Sequence, residues 1–348
     1  MEDVETLSGR KRDILLNSVA DYIQSAVPIT SKMVKEQHMV DISTATLRNE
    51  LNALEAMGYL KQLHTSSGRV PTSKAYRLYV NWLMNDLTFK GEELDMLKQG
   101  FNLKAQNLGL LLDKVAKTIS KVTDLPTVVV MNDLKLLNIQ EIKIIPLIDY
   151  SALMLIQTNG GIINNTFEID TSTSDEDCIE SARVLQQQFA GKTIEYMINN
   201  IEEVVSKYSE RISVFKKIFE SIIDILKDSK NPIQVGSTKL LNMPEYSDIG
   251  KAQQILALMD DNDVIRSVVT TQDENLTFKI GKENDIETLH ECAVITAPLT
   301  IGDETIASVG VIGPQRIDYE LVAGAMQYVV NELKNIKQLK GDIDEKKK

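Results

Sequence analysis

Apolar positions recur at spacings of three and four over residues 10–25, with Leu15, Val19, Tyr22 and Ala26 on one stripe. That period predicts an amphipathic helix, ended by Pro28. Thr30 or Ser31 is then placed to cap a short second helix over roughly Lys32–Gln37. After a break at Met39–Ile42, Ser43 caps a third helix to about Met57, with Leu47, Leu51 and Leu54 as its buried stripe and Gly58 as its stop. Tyr59–His64 is extended, Thr65-Ser66-Ser67-Gly68 is a turn, and Arg69-Val70-Pro71 returns. Thr72 or Ser73 caps a further helix over Lys74–Leu87. Three short helices followed by a hairpin is the order of a winged helix-turn-helix, with the hairpin as wing.

The pattern is helical again from Gly91 to Thr123, through Leu94, Leu97, Phe101, Leu108, Leu111, Leu112, Val115, Ile119 and Val122, and Pro126 closes it. Strands are expected at Thr127–Met131, Ile139–Pro146, Leu153–Gln157 and Ile162–Ile169, the last two joined by the Asn159-Gly160-Gly161 turn. Residues 174–230 are strongly helical, with breaks at Gly191-Lys192 and near Ser209, and Asn231-Pro232 ends them. A short strand at Ile233–Gly236, helices near Ile249–Asp260 and Asp263–Val269, strands at Leu276–Gly281, Ala293–Ile301 and Thr305–Ile312, and a helix over Tyr319–Leu339 complete the chain. The last seven residues are charged apart from Ile343, which predicts a disordered tail over 342–348. The fold class is therefore α+β multidomain. A DNA-binding unit spans 1–88, and one α+β domain is split into 89–173 and 232–341 by a helical insertion at 174–231.

Composition adds limits. With 348 residues, 43% hydrophobic and 25% charged, the chain is expected to fold into two or three domains rather than remain disordered. No apolar run reaches transmembrane length, and the acidic start Met1–Glu5 lacks the apolar core of a secretory signal. Cys178 and Cys292, far apart, suggest reduced thiols in a cytoplasmic protein. The net charge of −12 argues against nucleic acid only until it is divided: residues 1–85 carry +1 and residues 86–348 carry −13. Residues 61–80 hold Lys61, Arg69, Lys74 and Arg77 and no acid. Phosphate binding needs a local basic face, not a basic whole.

The third helix carries short or forked polar groups at its start: Ser43, Thr44, Thr46, Arg48 and Asn49. Those groups reach base edges from the N-terminal end of a recognition helix, Arg pairing with guanine and Asn with adenine. A capped surface helix with a solvated Arg has the same local pattern; the helix before it and the basic hairpin favour DNA. Lys61, His64 and Arg69 on the hairpin and Lys74 behind it are candidates for phosphate or minor-groove contact. Tyr76, Tyr79, Trp82 and Leu83 read as packing between domains. No nucleophile elbow, Walker loop or dinucleotide fingerprint occurs, so no enzymatic activity, metal or cofactor is expected. Gly281-Lys282-Glu283-Asn284 and Gly313-Pro314-Gln315-Arg316 read as turns, the second leading to a helix cap at Asp318.

Several stretches resemble one family. Leu7–Leu15 with Asp21-Tyr22-Ile23 and Pro28, then Ser43–Leu51, Gly58-Tyr59-Leu60, His64–Thr72 with Tyr76-Arg77, and finally Ile312–Tyr319 are similar to HrcA, the bacterial heat-inducible transcription repressors. The resemblance covers essentially the whole chain. Gln315 and Ile317 stand where the family more usually has Thr and Met. The resemblance implies a winged helix domain and a GAF-like domain with a dimerisation domain inserted into it. It also implies binding to CIRCE, an inverted-repeat operator upstream of chaperone operons, and control by the GroE chaperonin. An inverted repeat is read by a two-fold dimer. On that view Lys61, Arg69 and Lys74 hold phosphates, and Thr44, Thr46, Arg48 and Asn49 read bases. Val204, Val205, Ile212, Phe215, Ile218, Phe219, Ile222 and Ile223 supply the dimer contact. The alternative is a winged-helix regulator gated by a small ligand in the GAF-like domain.

Overall fold

In the computed structural model the described residues are 7, 9–62, 68–85, 97, 108–208, 217–218, 220–224, 231–302 and 304–345, with side chains of the last helix to residue 335. The fold is mixed α+β. Helix α1 spans Gly9–Ser25 and buries Ile14, Leu15, Val19 and Ile23. Ala26, expected on its stripe, instead lies at φ +55° and turns the chain out of the helix. Helix α2, Ser31–Gln37, is capped by Thr30, whose Oγ1 accepts the Met33 N–H at 3.3 Å. Helix α3, Thr44–Ala56, is capped by Ser43. Gly58, at φ +77°, ends it where an L side chain would be strained.

Strands β1, Leu60–Gln62, and β2, Arg69–Pro71, pair antiparallel with Lys61 opposite Val70. Ile29 joins them through a bridge to Arg69, N–H to carbonyl at 2.7 and 2.8 Å in the two directions. Helix α4 runs Ser73–Leu83, shorter than the expected Leu87 end. Thr72 precedes it but does not cap through its side chain: its Oγ1 donates to the Gly58 carbonyl at 2.7 Å.

Gly68 explains how the hairpin closes on the segment between α1 and α2. A Cβ there would sit 2.6 Å from the carbonyl oxygens of Pro28 and Ile29, and backbone cannot step aside. Gly68→Ala is therefore expected to cost about 1–3 kcal/mol and to splay the hairpin. Urea unfolding checks this; an unshifted midpoint contradicts it.

Helix α5 is described over Leu108–Thr123; Leu94 and Phe101 of the expected longer helix lie outside the described residues. Strand β3, Thr127–Met131, follows. Strands β4 (Ile139–Leu147), β5 (Ser151–Thr158) and β6 (Gly161–Glu168) form their own antiparallel sheet. Helix α6, Asp175–Phe189, packs on β4, and α7, Ile194–Tyr208, follows it. Ser174 and Asp177 form a capping box at α6, and the Ser174 amide and hydroxyl hold the Asp177 carboxyl below its ordinary value. Strand β7, Ile233–Val235, returns beside β3. Helices α8 (Ile249–Asp260) and α9 (Asn262–Val269), strands β8 (Thr277–Ile280), β9 (Cys292–Ile301) and β10 (Glu304–Pro314), and helix α10 (Tyr319–Glu345) end the chain. The expected disordered tail is thus helical through Glu345.

Five strands make the larger sheet, in the order β7-β3-β10-β9-β8, every pair antiparallel. Alternation decides its two faces. Val129, Ile295, Ala297, Val309 and Val311 face α5 and α10, while Val128, Val130, Val294 and Ile312 face α8 and α9. Both faces are covered, so β9 and β10 are buried almost end to end. The chain leaves this sheet after Met131 and rejoins it at Ile233, so the excursion includes β4–β6 as well as the helices. The expected insertion limit at 174 falls between β6 and α6, separating α6 from the β4 strand it packs on. The apolar run expected to hold a dimer is described only in part. Val204, Ile218 and Ile222 are buried within the single chain, and Ile212, Phe215 and Phe219 lie outside the described residues.

Candidate nucleic-acid interface

Helix α3 is oriented by its apolar stripe. Leu47, Leu51 and Leu54 are fully buried against α1, α2 and β1, which leaves Thr44, Arg48 and Asn49 exposed. Ser43 Oγ accepts the Thr46 N–H at 3.1 Å and lies 2.9 Å from Thr46 Oγ1. Ser43 and Thr46 therefore satisfy each other at the helix start, and Thr44 is the hydroxyl left facing out. Arg48 has no ion pair among the described residues.

The acids of α3 are tied off. Glu50 lies 3.1 Å from Arg10 Nη2 and 3.6 Å from Lys11 Nζ. Glu55 accepts from Arg69 Nε at 2.8 Å. Both carboxylates are thus neutralised by cations from α1 and β2, and neither is left to repel a phosphate near Arg48.

Arg69 has a different task from the one expected of it. Its side chain is 12% exposed, its Nη2 also donates to Asn52 Oδ1, and it fastens the hairpin to α3. Lys74 Nζ stands 4.5 Å from the Tyr59 ring centroid and 3.5 Å from the Met57 carbonyl, an exposed cation steadied over an aromatic face. Lys61 is exposed on β1. His64 lies outside the described residues.

Two cations escaped the sequence argument. Lys32 is exposed on α2, with Glu36 only at 3.9 Å. Lys282 shares with Lys61 and Lys74 the lining of an open cleft of about 680 Å³ between the hairpin and the turn after β8. No local pattern joins residue 282 to residue 61; only the tertiary fold does. Among the described residues no cluster of His, Cys, Asp and Glu is arranged to hold a metal, and no helix is long and apolar enough to cross a membrane.

The aromatic stripe of α4 packs as expected, with one exception. Tyr319, fully buried at the start of α10, has its ring centroid 6.0 Å from that of Tyr76 and 6.5 Å from that of Tyr79. Burial pushes the hydroxyls of Tyr76, Tyr79 and Tyr319 up, that of Tyr79 to about 12, so this contact stays uncharged through neutral pH. Trp82 is instead 48% exposed.

Comparison with known proteins gives one family. The profile described as "HrcA protein C terminal domain" matches residues 110–322. A protein of Acetivibrio thermocellus named heat-inducible transcription repressor HrcA is 32% identical, covering 94% of this chain and 95% of its own. One of Clostridium tetani with the same name is 33% identical, covering 94% and 95%. A crystal structure titled only as a hypothetical protein at 2.2 Å resolution superposes with a TM-score of 0.75 over 94% of this chain and 98% of its own, at 22% identity; that likeness speaks for the fold.

Proposed function

The chain belongs to the HrcA family of heat-inducible transcription repressors, and from that premise we propose how it represses heat-shock genes: as a dimer on an inverted-repeat operator of the CIRCE type. The observation that carries this reading is the outward face of α3, where Thr44, Arg48 and Asn49 stand clear while both acids of the helix are paired behind it. Residues 1–88 form the winged helix-turn-helix unit in this reading, with α3 as recognition helix and β1–β2 as wing. The five-stranded sheet with its helices is the GAF-like unit, and the excursion over residues 132–232 is the inserted dimerisation unit.

Thr44, Arg48 and Asn49 contact bases, and Ser43 and Thr46 build the helix start that presents them. Lys61, Lys74 and His64 hold phosphates. Arg69 keeps the wing against α3. Phosphate contacts release counterions, so Lys61→Ala is expected to lower the salt dependence of binding by about one unit per half-site. An unchanged slope of log affinity against log salt removes Lys61 from the phosphate contacts.

The GroE chaperonin, in this reading, keeps the repressor competent, and heat withdraws it. Transcription in vitro from a promoter bearing the inverted repeat tests the whole proposal. Repression is expected at low temperature, relief on heating, and stronger repression with chaperonin added. Transcription that ignores the protein at every temperature overturns it. Sedimentation is expected to give twice the 39.0 kDa chain mass.

A further inference from the structure

The contacts that join the N-terminal unit to the sheet unit gather at two turns and one helix start. The first turn follows β8. Arg77 of α4 donates through Nε to Glu283 Oε1 at 2.8 Å and through Nη2 to the Phe278 carbonyl at 2.6 Å and to Glu283 Oε2. Glu283 is held for this by the Ile280 N–H, 2.8 Å from its Oε2. Gly281, at φ +60°, lies so close to Ser73 that a Cβ would overlap the Ser73 hydroxyl.

The second turn follows β10. Ser73 Oγ donates to Gln315 Oε1 at 2.8 Å, and Gln315 Nε2 donates to the His290 carbonyl at 2.9 Å, so one amide spans both units. Arg316, 16% exposed, donates through Nε to Glu245 Oε1 at 2.7 Å and through Nη1 to the Ile23 carbonyl, also at 2.7 Å. Ile23 is in the last turn of α1, where carbonyls lack helical partners and a cation is favoured. Tyr319 then inserts between Tyr76 and Tyr79.

These contacts are directional. A guanidinium fork on a carboxylate fixes an angle as well as a distance; here the Arg77–Glu283 fork and the Gln315 amide act on α4, while Arg316, itself oriented by its fork on Glu245, holds the end of α1 through the Ile23 carbonyl. None of them touches α3 or the wing strands. We propose that this dock sets the angle at which each recognition helix is held, and that Arg77, Glu283 and Arg316 are positioning residues for reading two half-sites together. The proposal rests on the operator reading above. With the dock intact, binding one half-site delivers the second helix to the next major groove, and the pair gains from effective concentration. With the dock open, each unit still reads its own half-site, but the second event loses its preorganisation.

The test compares the full chain with Arg77→Glu, with Glu283→Arg, with the charge-swapped double variant, and with Arg316→Gln. Each is titrated against a duplex carrying the inverted repeat and one carrying a single half-site. The single variants are expected to lose about tenfold or more on the inverted repeat and to stay within about twofold on the half-site, with the swap recovering most of the loss. In parallel, a label pair at Ala45→Cys and Asp285→Cys, in chains diluted with excess unlabelled protein, reads the distance from α3 to the sheet unit inside one chain without DNA; the native Cys178 and Cys292 are buried and do not compete for label. One narrow distance is expected in the parent and a broad distribution in the single variants. A distance that stays narrow, or half-site binding that falls as much as inverted-repeat binding, overturns the dock. A parent protein that keeps one narrow distance but ignores the inverted repeat sinks the operator reading instead.

Discussion

Arg48→Ala is expected to remove most of the preference for the inverted repeat over a scrambled duplex and to leave the fold intact. The side chain lies on the outward face of α3, one turn past the Ser43 cap, with Leu47 and Leu51 anchoring the helix behind it. No carboxylate among the described residues claims its guanidinium, so the fork is available to a guanine edge. A bidentate contact of that kind is worth about 1–3 kcal/mol of discrimination. A two-fold dimer carries the substitution twice, so the loss is about 2–6 kcal/mol, from roughly 30-fold to beyond 10⁴-fold in relative affinity. Non-specific binding persists because the phosphate contacts are untouched. Arg48→Lys does not restore the preference, since an ammonium lacks the planar fork. Anisotropy titrations with both duplexes, beside a thermal melt, measure this; an unchanged preference removes Arg48 from the base contacts.

Leu51→Ala acts on the same helix through its buried stripe. Leu51 is fully buried at the centre of the α3 stripe. Truncation forfeits its transfer free energy and leaves a cavity, together about 2–5 kcal/mol. Against a domain stability of about 5–15 kcal/mol, that is enough to unfold much of the N-terminal unit on mild heating. Trp82, the single tryptophan of the chain, sits on α4 within this unit and reports its unfolding by fluorescence, while far-ultraviolet circular dichroism follows the sheet unit as well. The tryptophan transition is expected to move far down in temperature, and binding to both duplexes to fail together at elevated temperature. A tryptophan transition that does not move contradicts the burial of Leu51. The two substitutions thus separate reading from folding: one loses specificity with stability kept, the other loses stability and all binding with it.

What the sequence revealed follows the range of each interaction. Caps and stops act over three or four residues, and Ser43, Thr30, Gly58 and Asp318 all stand at element ends. The strands of both sheets fall close to where alternation and turns predict them. Which strands pair is a different matter. Nothing in the pattern of β4–β6 tells that they leave the sheet of β3, because alternation marks a buried face without naming the partner. Arg69 makes the same point for a side chain. Its basic neighbourhood suggests phosphate, yet its partners Asn52 and Glu55, 17 and 14 residues earlier, engage it only once the hairpin folds back on α3. Of the tetrapeptides expected as turns, Gly281–Glu283 is a single 3-10 turn, whereas Gly313-Pro314 end β10 and the chain bends only from Gln315. Their service as the seat of the N-terminal unit depends on partners some 200 to 290 residues away.

In the proposed function the outward face of α3 reads an inverted repeat. The most direct measurement is fluorescence anisotropy of a labelled inverted-repeat duplex, set against a scrambled duplex of the same length, with the full chain at two salt concentrations. Tighter binding to the inverted repeat is expected at both salts, with both affinities falling as salt rises while the preference survives. Equal, weak binding to the two duplexes by folded protein, fading together with salt, would leave only non-specific electrostatics and contradict the claim.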